Sequence, residues 1–554
     1  MKKLSSFNRA ILIGAICGLV TFLLLYGLDL LNVTEAVWLY NKGDVTQHYN
    51  GWQFFRNSRW FFPIGLMDTA PYPEPVSVVY TDAIPLFALF FKLLSPILPE
   101  TFQYFGIWGL SCYILQGIAS AVILYKYIPK WYTLVLAVSL FTCSPWMFYR
   151  LYMHSALAAH WIILLCVLLS MNSNNLSLKR YIIFWSGLLS VASMIHVYFI
   201  PMCVVFLGCT TLYRIYKSRT RIILNLGASL LPILSAVIVL WLMGAFYGTV
   251  QFAKDALGEA SANLNFLFNS VGMSDFLPAL PNPLAKWAGE SFGYLGLGGF
   301  LLAGIGILWL LCDKELRVKI YRRKAEIVFT GLLLVIFLWL ATAPTVAWNN
   351  HVYFRWILPQ PVYWVLNVFR SLGRFVWPIC YVILLAAVIG SSQVSKRWMK
   401  VGLPILLGTA LCLQIADFKT MINDRVSWVK SAEGYPGFHE DIWDLFTGDF
   451  QHIYVFSLDN WQELSTYAAS RNLTINETYM ARRDEHQIFE KNIKTAGELQ
   501  NGIADPQTLY ILPKEMGREE LSTLSKLYIY QIDGLYVAVS APLQIEEQYE
   551  EYHQ

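Results

Sequence analysis

The chain has 554 residues, of which 56% are hydrophobic and only 14% charged, and its formal net charge is +4. Soluble globular domains carry roughly 25% charged residues, so this composition excludes an ordinary soluble enzyme. The mean hydropathy of +0.46 is typical of a chain that lies mostly within a membrane.

Apolar runs of membrane-crossing length recur from residue 10 to residue 416, since about 20 apolar residues cross a bilayer. We predict a mostly α-helical, polytopic bundle of about eleven spans. The predicted spans are 10–31, 104–127, 131–147, 155–171, 181–198, 200–213, 222–247, 295–312, 327–346, 375–391 and 401–416.

The predicted inner segments are rich in basic residues, and the predicted outer segments are not. Because cytoplasmic loops carry an excess of Lys and Arg, this asymmetry predicts a cytoplasmic N-terminus in a cell membrane, with the first long loop and the C-terminal residues outside. The basic residues concerned are Lys2, Lys3, Arg9, Lys126, Lys130, Lys179, Arg180, Arg214, Lys217, Arg219, Arg221, the run Lys314 to Lys324, Lys396, Arg397 and Lys400.

The first outer loop, residues 32–103, carries two aspartates with distinct surroundings. Asp44 follows Gly43 and could accept the proton of an acceptor hydroxyl as that oxygen attacks; the alternative is an N-cap or turn residue. Asp82 precedes the apolar stretch 83–98 and looks more like the N-cap of a helix there. That stretch is short for a span and is bounded by prolines, so we expect an interfacial or re-entrant helix.

Basic side chains at the predicted outer ends of spans are candidates for phosphate binding. Arg150 and His154 lie at one outer turn, and Arg370 and Arg374 stand four residues apart before another span. If that second segment is helical, the two arginines share one face. Arginine suits bidentate phosphate recognition, while the alternative is a side chain that snorkels from a helix end. His196 is more readily explained as a hydrogen-bonded polar residue.

Residues 418–554 differ in character from the rest, because acidic residues and β-type runs replace the long apolar segments. We predict an extracytoplasmic α/β domain here, separate from a membrane domain at 1–417. Its strands are expected at 452–456, 508–512, 527–530 and 535–539, and a helix at 461–472. We expect this domain to help recognise the acceptor and to carry no catalytic group.

Several catalytic patterns are absent from the sequence. It has no glycine-rich phosphate loop, no His/Cys metal cluster and no G-x-S-x-G nucleophile motif. Without a nucleotide site, an activated donor at the outer face has to be carried by a lipid. No cysteine follows Cys412, and an exported domain without disulfides suits a bacterial surface.

Residues 43–49 and 80–86, with the topology of about residues 10–417, resemble the GT-C superfamily of integral-membrane glycosyltransferases, and in particular bacterial members outside its characterised groups. Proteins of that superfamily have a cytoplasmic N-terminus, a large first outer loop with an essential Asp and a polyprenyl-phosphate-linked sugar as donor. Asp44 is not followed by a second acidic residue, and no Trp-Trp-Asp or Asp-x-Asp occurs. The chain therefore departs from the protein mannosyltransferases and oligosaccharyltransferases.

The resemblance implies transfer of a sugar to a cell-envelope glycan or related acceptor on the outer face, with inversion and with Asp44 as general base. It implies a polyprenyl-phosphate-linked sugar, an envelope glycan and the bilayer as partners, and no nucleic acid. No cofactor or metal ligand is assigned, and a divalent cation is left open. The implied site residues are Asp44 and Asp82 for catalysis, Arg150, His154, Arg370 and Arg374 for the donor phosphate, and His48 and Tyr49 for the acceptor or sugar.

Three other functions compete with this interpretation. A transporter or flippase of lipid-linked glycans would explain the many spans, but it predicts charged residues within the spans and often related halves. A membrane O-acyltransferase would need an embedded catalytic histidine, for which His160 and His196 are weak candidates. A scaffold for envelope assembly would use the C-terminal domain as its binding part.

Overall fold

The computed structural model describes residues 5–40, 43–218, 221–248, 257–283, 286–394, 399–432, 434, 437–438, 441–481 and 484–543. These residues form two compact units. The first unit comprises Met1–Val33, Tyr104–Val239 and Phe252–Lys430, and the second comprises Thr34–Gln103, Leu240–Gln251 and Ser431–Gln554. Five of the basic residues that set the predicted orientation lie outside the described residues, namely Lys2, Lys3, Arg219, Lys396 and Arg397.

Within the described part of the chain, nine helices are long and apolar enough to cross a membrane, and a helix pair bent by 58° would make ten. The nine are Ser6–Tyr26, Phe105–Leu124, Trp131–Arg150, Ser155–Asn175, Phe199–Ser218, Ile222–Leu242, Ala288–Cys312, Lys324–Thr342 and Leu372–Ser392, and the bent pair is Val401–Asp417 with Lys419–Lys430. The remaining predicted span, 181–198, is the 16-residue helix Leu178–Ser193. The chain is thus a multi-pass membrane protein, as predicted.

Close helix packing in the first unit depends on glycine. A Cβ atom at Gly14 or Gly18 of the first helix would collide with the backbone of the helix Phe105–Leu124, and one at Gly117 would collide with Gly14. Small residues four apart allow two membrane helices to approach closely enough for backbone contact. These glycines therefore bring the first helix against the second.

Two shorter elements follow the helix Lys324–Thr342. Strands Thr345–Trp348 and His351–Arg355 form an antiparallel hairpin, and the helix Gln360–Asn367 comes next. Another short helix, Lys314–Tyr321, precedes Lys324–Thr342.

Residues Thr34–Gln103, nearly all of the predicted first outer loop, belong to the second unit. They contain the helix Asp44–Asn57, the antiparallel strands Leu66–Met67 and Val76–Ser77, and the helix Pro85–Leu93. This last helix turns Lys92 inward and leaves Phe90 and Leu93 exposed. Exposed apolar side chains of this kind are compatible with the expected interfacial or re-entrant helix, which stays a prediction.

The C-terminal domain of the second unit is built on a five-stranded mixed sheet. In order across the sheet, the strands are Thr474–Ile475, His452–Val455, Thr508–Leu512, Leu535–Val539 and Tyr528–Ile532. The first three are parallel and the last two antiparallel to their neighbours. Its helices are Ile442–Asp449, Trp461–Ser470, Glu485–Gln500 and Arg518–Ser522. The predicted α/β architecture is confirmed, and the two-residue strand Thr474–Ile475 was too short to predict.

Two backbone hydrogen bonds join the outer loop to the edge of this sheet. The amide of Tyr72 donates to the carbonyl of Ile475 (2.8 Å), and the amide of Ile475 donates to the carbonyl of Thr69 (3.0 Å). The prediction grouped the loop 32–103 with the membrane domain, whereas the structure groups it with the C-terminal residues, because its backbone satisfies the open edge of their sheet. The boundary at residue 417 itself stays a prediction.

Candidate functional site

Charged side chains meet in the first unit around Glu290. The Nη1 atom of Arg150 donates to Glu290 Oε1 at 3.0 Å, and Nε of Arg374 donates to Glu290 Oε2 at 2.6 Å. His154 Nε2 lies 3.7 Å from Glu290 Oε1. The side chains of Arg150 and Arg374 are only 4% and 8% exposed. We refer to Arg150, His154, Glu290 and Arg374 as the arginine cluster.

The cluster is assembled from the ends of three membrane-crossing helices. Arg150 is the last residue of Trp131–Arg150, while Glu290 and Arg374 lie in the first turns of Ala288–Cys312 and Leu372–Ser392. Charges thus gather at span ends rather than within spans, which does not favour the transporter interpretation.

Close backbone packing holds the two turns that carry Glu290 and Arg374. The amide of Gly373 donates to the carbonyl of Ala260 at 2.8 Å, and a Cβ at Gly373 would lie 2.6 Å from the Cβ of Ser291. No real Cβ tolerates such a contact, so only glycine allows this approach. Arg374 is thereby fixed beside Glu290.

Aromatic rings cover the two guanidinium groups. The Cζ atom of Arg374 lies 4.4 Å from the ring centre of Tyr198, and that of Arg150 lies 5.1 Å from Tyr149 and 5.3 Å from Trp377. Cation–π contacts favour the charged form of a guanidinium where water is excluded. Arg425 also stacks on Tyr149, at 4.8 Å.

The hydrogen bonds of Arg150 leave one of its donors unused within the described residues. The cluster holds two permanent cations and one carboxylate. The Nη2 atom of Arg150 donates to the carbonyl of Gly289 (3.0 Å). Among the residues that the structure describes, the Nε–H of Arg150 is buried without a hydrogen-bond partner. Because buried donors are almost always satisfied, the unused donor is compatible with the predicted phosphate site, which stays a prediction.

Three of the four residues predicted to bind a phosphate, Arg150, His154 and Arg374, contact Glu290. The helix Gln360–Asn367 ends before Arg370, and Arg374 belongs to the separate turn Leu372–Phe375. The expectation that Arg370 and Arg374 share one helical face is therefore wrong, because the chain breaks between them. Arg370 is exposed.

The sequence did not reveal Glu290 or Tyr198. Glu290 was hidden in a loop of mixed composition, and its one signal was an acidic residue at the start of a glycine-rich span. The hydroxyl oxygen of Tyr198 also accepts a hydrogen bond from the amide of Ser371 (2.7 Å). His196 supports it, since His196 Nδ1 accepts the amide proton of Tyr198 at 3.2 Å.

Asp44 lies in the second unit at the first residue of the helix Asp44–Asn57. The N-cap of this helix is Gly43, with φ of 111°, so the structure does not support the alternative in which Asp44 is the N-cap. A carboxylate in the first turn is nevertheless favoured by the helix dipole. Asp44 is half-buried, which leaves part of its side chain accessible to a substrate.

Asp82 has a left-handed backbone and is the C-cap of the 3-10 helix Val78–Thr81, not the N-cap of the helix that follows. Its φ is 55°, and the N-cap of the helix Pro85–Leu93 is instead Ile84, also with φ of 55°. The predicted N-cap assignment of Asp82 is therefore wrong. A β-branched residue such as Ile84 rarely adopts positive φ, and strain of this kind clusters at functional sites.

His48 and Tyr49, predicted to contact the acceptor or sugar, are both 0% exposed. Tyr49 packs edge-on against Tyr40, with ring centres 5.5 Å apart, and burial raises the pKa of its hydroxyl. Such burial makes them part of the core of the loop, so direct contact with a sugar would require rearrangement.

His160, the acyltransferase candidate, is fully buried between spans. Its Nδ1 atom lies 3.0 Å from the hydroxyl of Tyr381, which also contacts Gln116 (2.9 Å) and Ser144 (2.8 Å). This network links helices and is closed to substrate.

No group of three or more His, Cys, Asp or Glu side chains in the described ranges is placed to hold a metal ion. The absence of an assigned metal stays a prediction.

The comparisons with known proteins concern nearly the whole chain. The archaeal oligosaccharyltransferase AglB from Archaeoglobus fulgidus, solved in complex with an inhibitory peptide and a dolichol-phosphate, is similar over 98% of this chain and 75% of its own, with 12% identity and a TM-score of 0.42. We draw no conclusion from a likeness at this score. No curated protein matches the chain.

Two family matches cover the chain in succession. Residues 442–540 match the family described as "DUF6311 C-terminal domain", and residues 15–419 match the one described as "Domain of unknown function (DUF6311)". The arginine cluster and most of the membrane-helix residues fall within the longer match. The chain therefore belongs to the DUF6311 family.

Proposed function

We propose that this protein is a membrane glycosyltransferase. It moves a sugar from a polyprenyl-phosphate donor to a hydroxyl of a cell-envelope glycan or related acceptor. The N-terminus is cytoplasmic, and the reaction takes place at the outer face. The observation that carries the proposal is the arginine cluster, in which two buried guanidinium groups share a single carboxylate at the ends of membrane spans.

The role of Arg150 and Arg374 is to bind the donor phosphate. Negative charge grows on that phosphate as the bond to the sugar breaks, and fixed cations stabilise the transition state more than the ground state. Glu290 orients both guanidinium groups and offsets part of their charge before the donor arrives. His154 adds a hydrogen bond, and the exposed Arg370 attracts the anionic donor before it binds.

The role of Asp44 is that of general base. The acceptor oxygen attacks the anomeric carbon as the bond from that carbon to the phosphate oxygen breaks, and the acceptor proton passes to the Asp44 carboxylate. A single displacement inverts the anomeric configuration, and the departing phosphate keeps the bonding electrons. Asp82 positions the segment that follows it through its strained backbone.

The test is transfer of labelled sugar from a polyprenyl-phosphate donor by the purified protein in proteoliposomes. Arg374→Ala is expected to weaken donor binding and turnover together, and Arg374→Lys to restore only part, because lysine lacks the planar fork. Arg370→Ala is the matched control and should have a much smaller effect. Equal effects of the Arg370 and Arg374 substitutions would contradict the assignment, and no transfer from any such donor would overturn the proposed function.

A further inference from the structure

A groove in the first unit opens between membrane-crossing helices and has a cavity volume of about 220 Å³. Most of its wall is apolar, with Val167, Phe206, Leu333 and Leu385 among the lining side chains. An apolar cavity of about 150 Å³ already stays dry and takes up a small hydrocarbon. This groove therefore has room for a segment of a lipid chain.

The groove lies far from the arginine cluster. Leu385 follows Arg374 on one helix, and the rise between them is about 16 Å. Tyr198 stacks on Arg374, whereas Tyr213 lines the groove near the other end of the helix Phe199–Ser218, about 22 Å further along. The groove and the cluster thus occupy opposite ends of the same helices.

One end of the groove is polar. The hydroxyl of Tyr213 donates to Glu326 Oε1 at 2.7 Å, and the hydroxyls of Ser170 and Thr210 are 2.7 Å apart. All four side chains line the cavity. Glu326 is exposed, so its carboxylate can meet a ligand that approaches from the lipid side.

Two cations stand beside that carboxylate. Lys217 and Arg323 both interact electrostatically with Glu326, and the Nζ atom of Lys217 lies 5.7 Å from the ring centre of Tyr213. The mouth of the groove therefore presents one negative group flanked by two positive groups, next to an apolar channel.

We propose that this groove binds a phospholipid with a primary-ammonium headgroup, namely phosphatidylethanolamine. The ammonium group contacts Glu326, the lipid phosphate contacts Lys217 and Arg323, and one acyl chain lies along Leu333 and Leu385. The charge order of this zwitterion complements that of the mouth. A lipid with only anionic groups would meet Glu326 unfavourably, and a choline headgroup cannot donate hydrogen bonds to it.

The inference does not rest on the proposed glycosyl transfer, because the groove is remote from the arginine cluster. It differs from a tail site for the donor in that a polyprenyl chain places no ammonium group near Glu326.

The experiment measures lipid retention by native mass spectrometry of the delipidated full-length protein, titrated with phosphatidylethanolamine, phosphatidylcholine, phosphatidylglycerol or undecaprenyl phosphate. Glu326→Gln should weaken retention of phosphatidylethanolamine by about tenfold or more, since a hydrogen bond to a charged group is lost. Glu315→Gln, at an exposed carboxylate of the helix Lys314–Tyr321, is the matched control. Thr330→Trp should fill the groove from its open side, and Thr330→Val should not.

Preferential retention of phosphatidylethanolamine that is lost in Glu326→Gln and Thr330→Trp, and kept in both controls, supports the proposal. Equal retention of all four lipids, or preference for undecaprenyl phosphate, overturns it. The thermal midpoint of each variant is measured alongside, and Tyr213→Phe serves as a second probe of the headgroup contact if Glu326→Gln does not fold.

Discussion

At the scale of single residues, the most informative side chains are those that carry charge where water is scarce. Removing ions from water costs several kcal/mol each, which a buried ion pair repays only with good geometry and further hydrogen bonds. Glu290 meets this condition through two guanidinium partners. A buried ion pair is weak evidence for stability, and the proposed function gives Glu290 a role in orienting the phosphate-binding arginines.

We expect Glu290→Gln to lower stability by about 3 kcal/mol or more, because it leaves two buried guanidinium groups without their counter-ion. The thermal midpoint in detergent measures this effect, with the exposed Glu259→Gln as control. Undecaprenyl phosphate should stabilise the variant by more degrees than the wild type, since an anion then replaces the lost carboxylate. Equal shifts in both proteins would argue against a phosphate site at the cluster.

We expect Asp44→Asn to reduce sugar transfer by about 10²–10⁴-fold, the usual cost of removing a general base. The substitution keeps the shape of the side chain, so donor binding should be unchanged. Initial rates and donor affinity are measured separately for the wild type and the variant. A wild-type rate in Asp44→Asn would refute the assignment.

Lys92 should make stability depend on pH. Burial lowers the pKa of its ammonium group to about 8, although Asp68 partly opposes this. The unfolded chain then binds more protons than the folded one from about pH 8 up to the usual lysine pKa, so stability rises with pH through that window and is lowest below it. Thermal midpoints between pH 7 and pH 10.5 should show this rise in the wild type but not in Lys92→Met. The matched control is Lys494→Met, which removes an exposed lysine and should keep the rise; a rise of the same size in Lys92→Met would contradict the prediction.

At the scale of elements, the long apolar helices were predictable and the short connecting turns were not. The apolar composition of about 20 consecutive residues predicts a membrane-spanning helix. The conformation of a short polar segment depends instead on its tertiary contacts. The break between Asn367 and Arg374 illustrates this, because Gly373 has to approach Ser291. Asp82 is a second example, because the N-cap of the helix Pro85–Leu93 is Ile84 and not, as predicted, Asp82.

The contact between the first two membrane helices offers a test at this scale. Gly18→Leu should push the helix Ser6–Tyr26 away from Phe105–Leu124 and lower stability by at least about 1–3 kcal/mol, the usual cost of overpacking. Gly187→Leu introduces the same side chain at a helical glycine with open space around it and should be nearly neutral. The measurement is the thermal midpoint of each variant, which should be lower for Gly18→Leu than for Gly187→Leu. Equal midpoints would contradict the close packing of the two helices.

At the scale of the whole molecule, sequence predicted the membrane region and the α/β domain but not which part the outer loop joins. Amide and carbonyl groups at a sheet edge form hydrogen bonds with whichever segment lies nearby. Nothing in the composition of residues 69–72 predicts that they are this segment. The sequence likewise predicted only some residues of the arginine cluster, because tertiary contacts complete it. Arg150, His154 and Arg374 were visible as cations at span ends, while Glu290 became significant only when folding placed it between them.

The docking of the outer loop on the C-terminal domain leads to the last prediction. Besides the edge pairing at Ile475, Asn50 donates to Thr466 at 3.0 Å in a buried contact, and the amide of Ala481 donates to the carbonyl of Tyr80 at 2.9 Å. A chain ending at Lys430 loses all these partners. We therefore expect the loop to unfold and Lys92, which is 3% exposed in the intact chain, to become a trypsin site.

Cleavage after Lys92 should be at least about tenfold faster in the truncated protein, because the open form is then populated without cost. Cleavage within Lys314–Tyr321, in the first unit, is the internal control and should keep its rate. Loss of sugar transfer on truncation would then reflect loss of the loop that carries Asp44, so acceptor recognition by the domain has to be tested with surface substitutions in the intact chain. Continued protection of Lys92 would mean that the loop folds without the domain, and truncation would then test acceptor recognition directly.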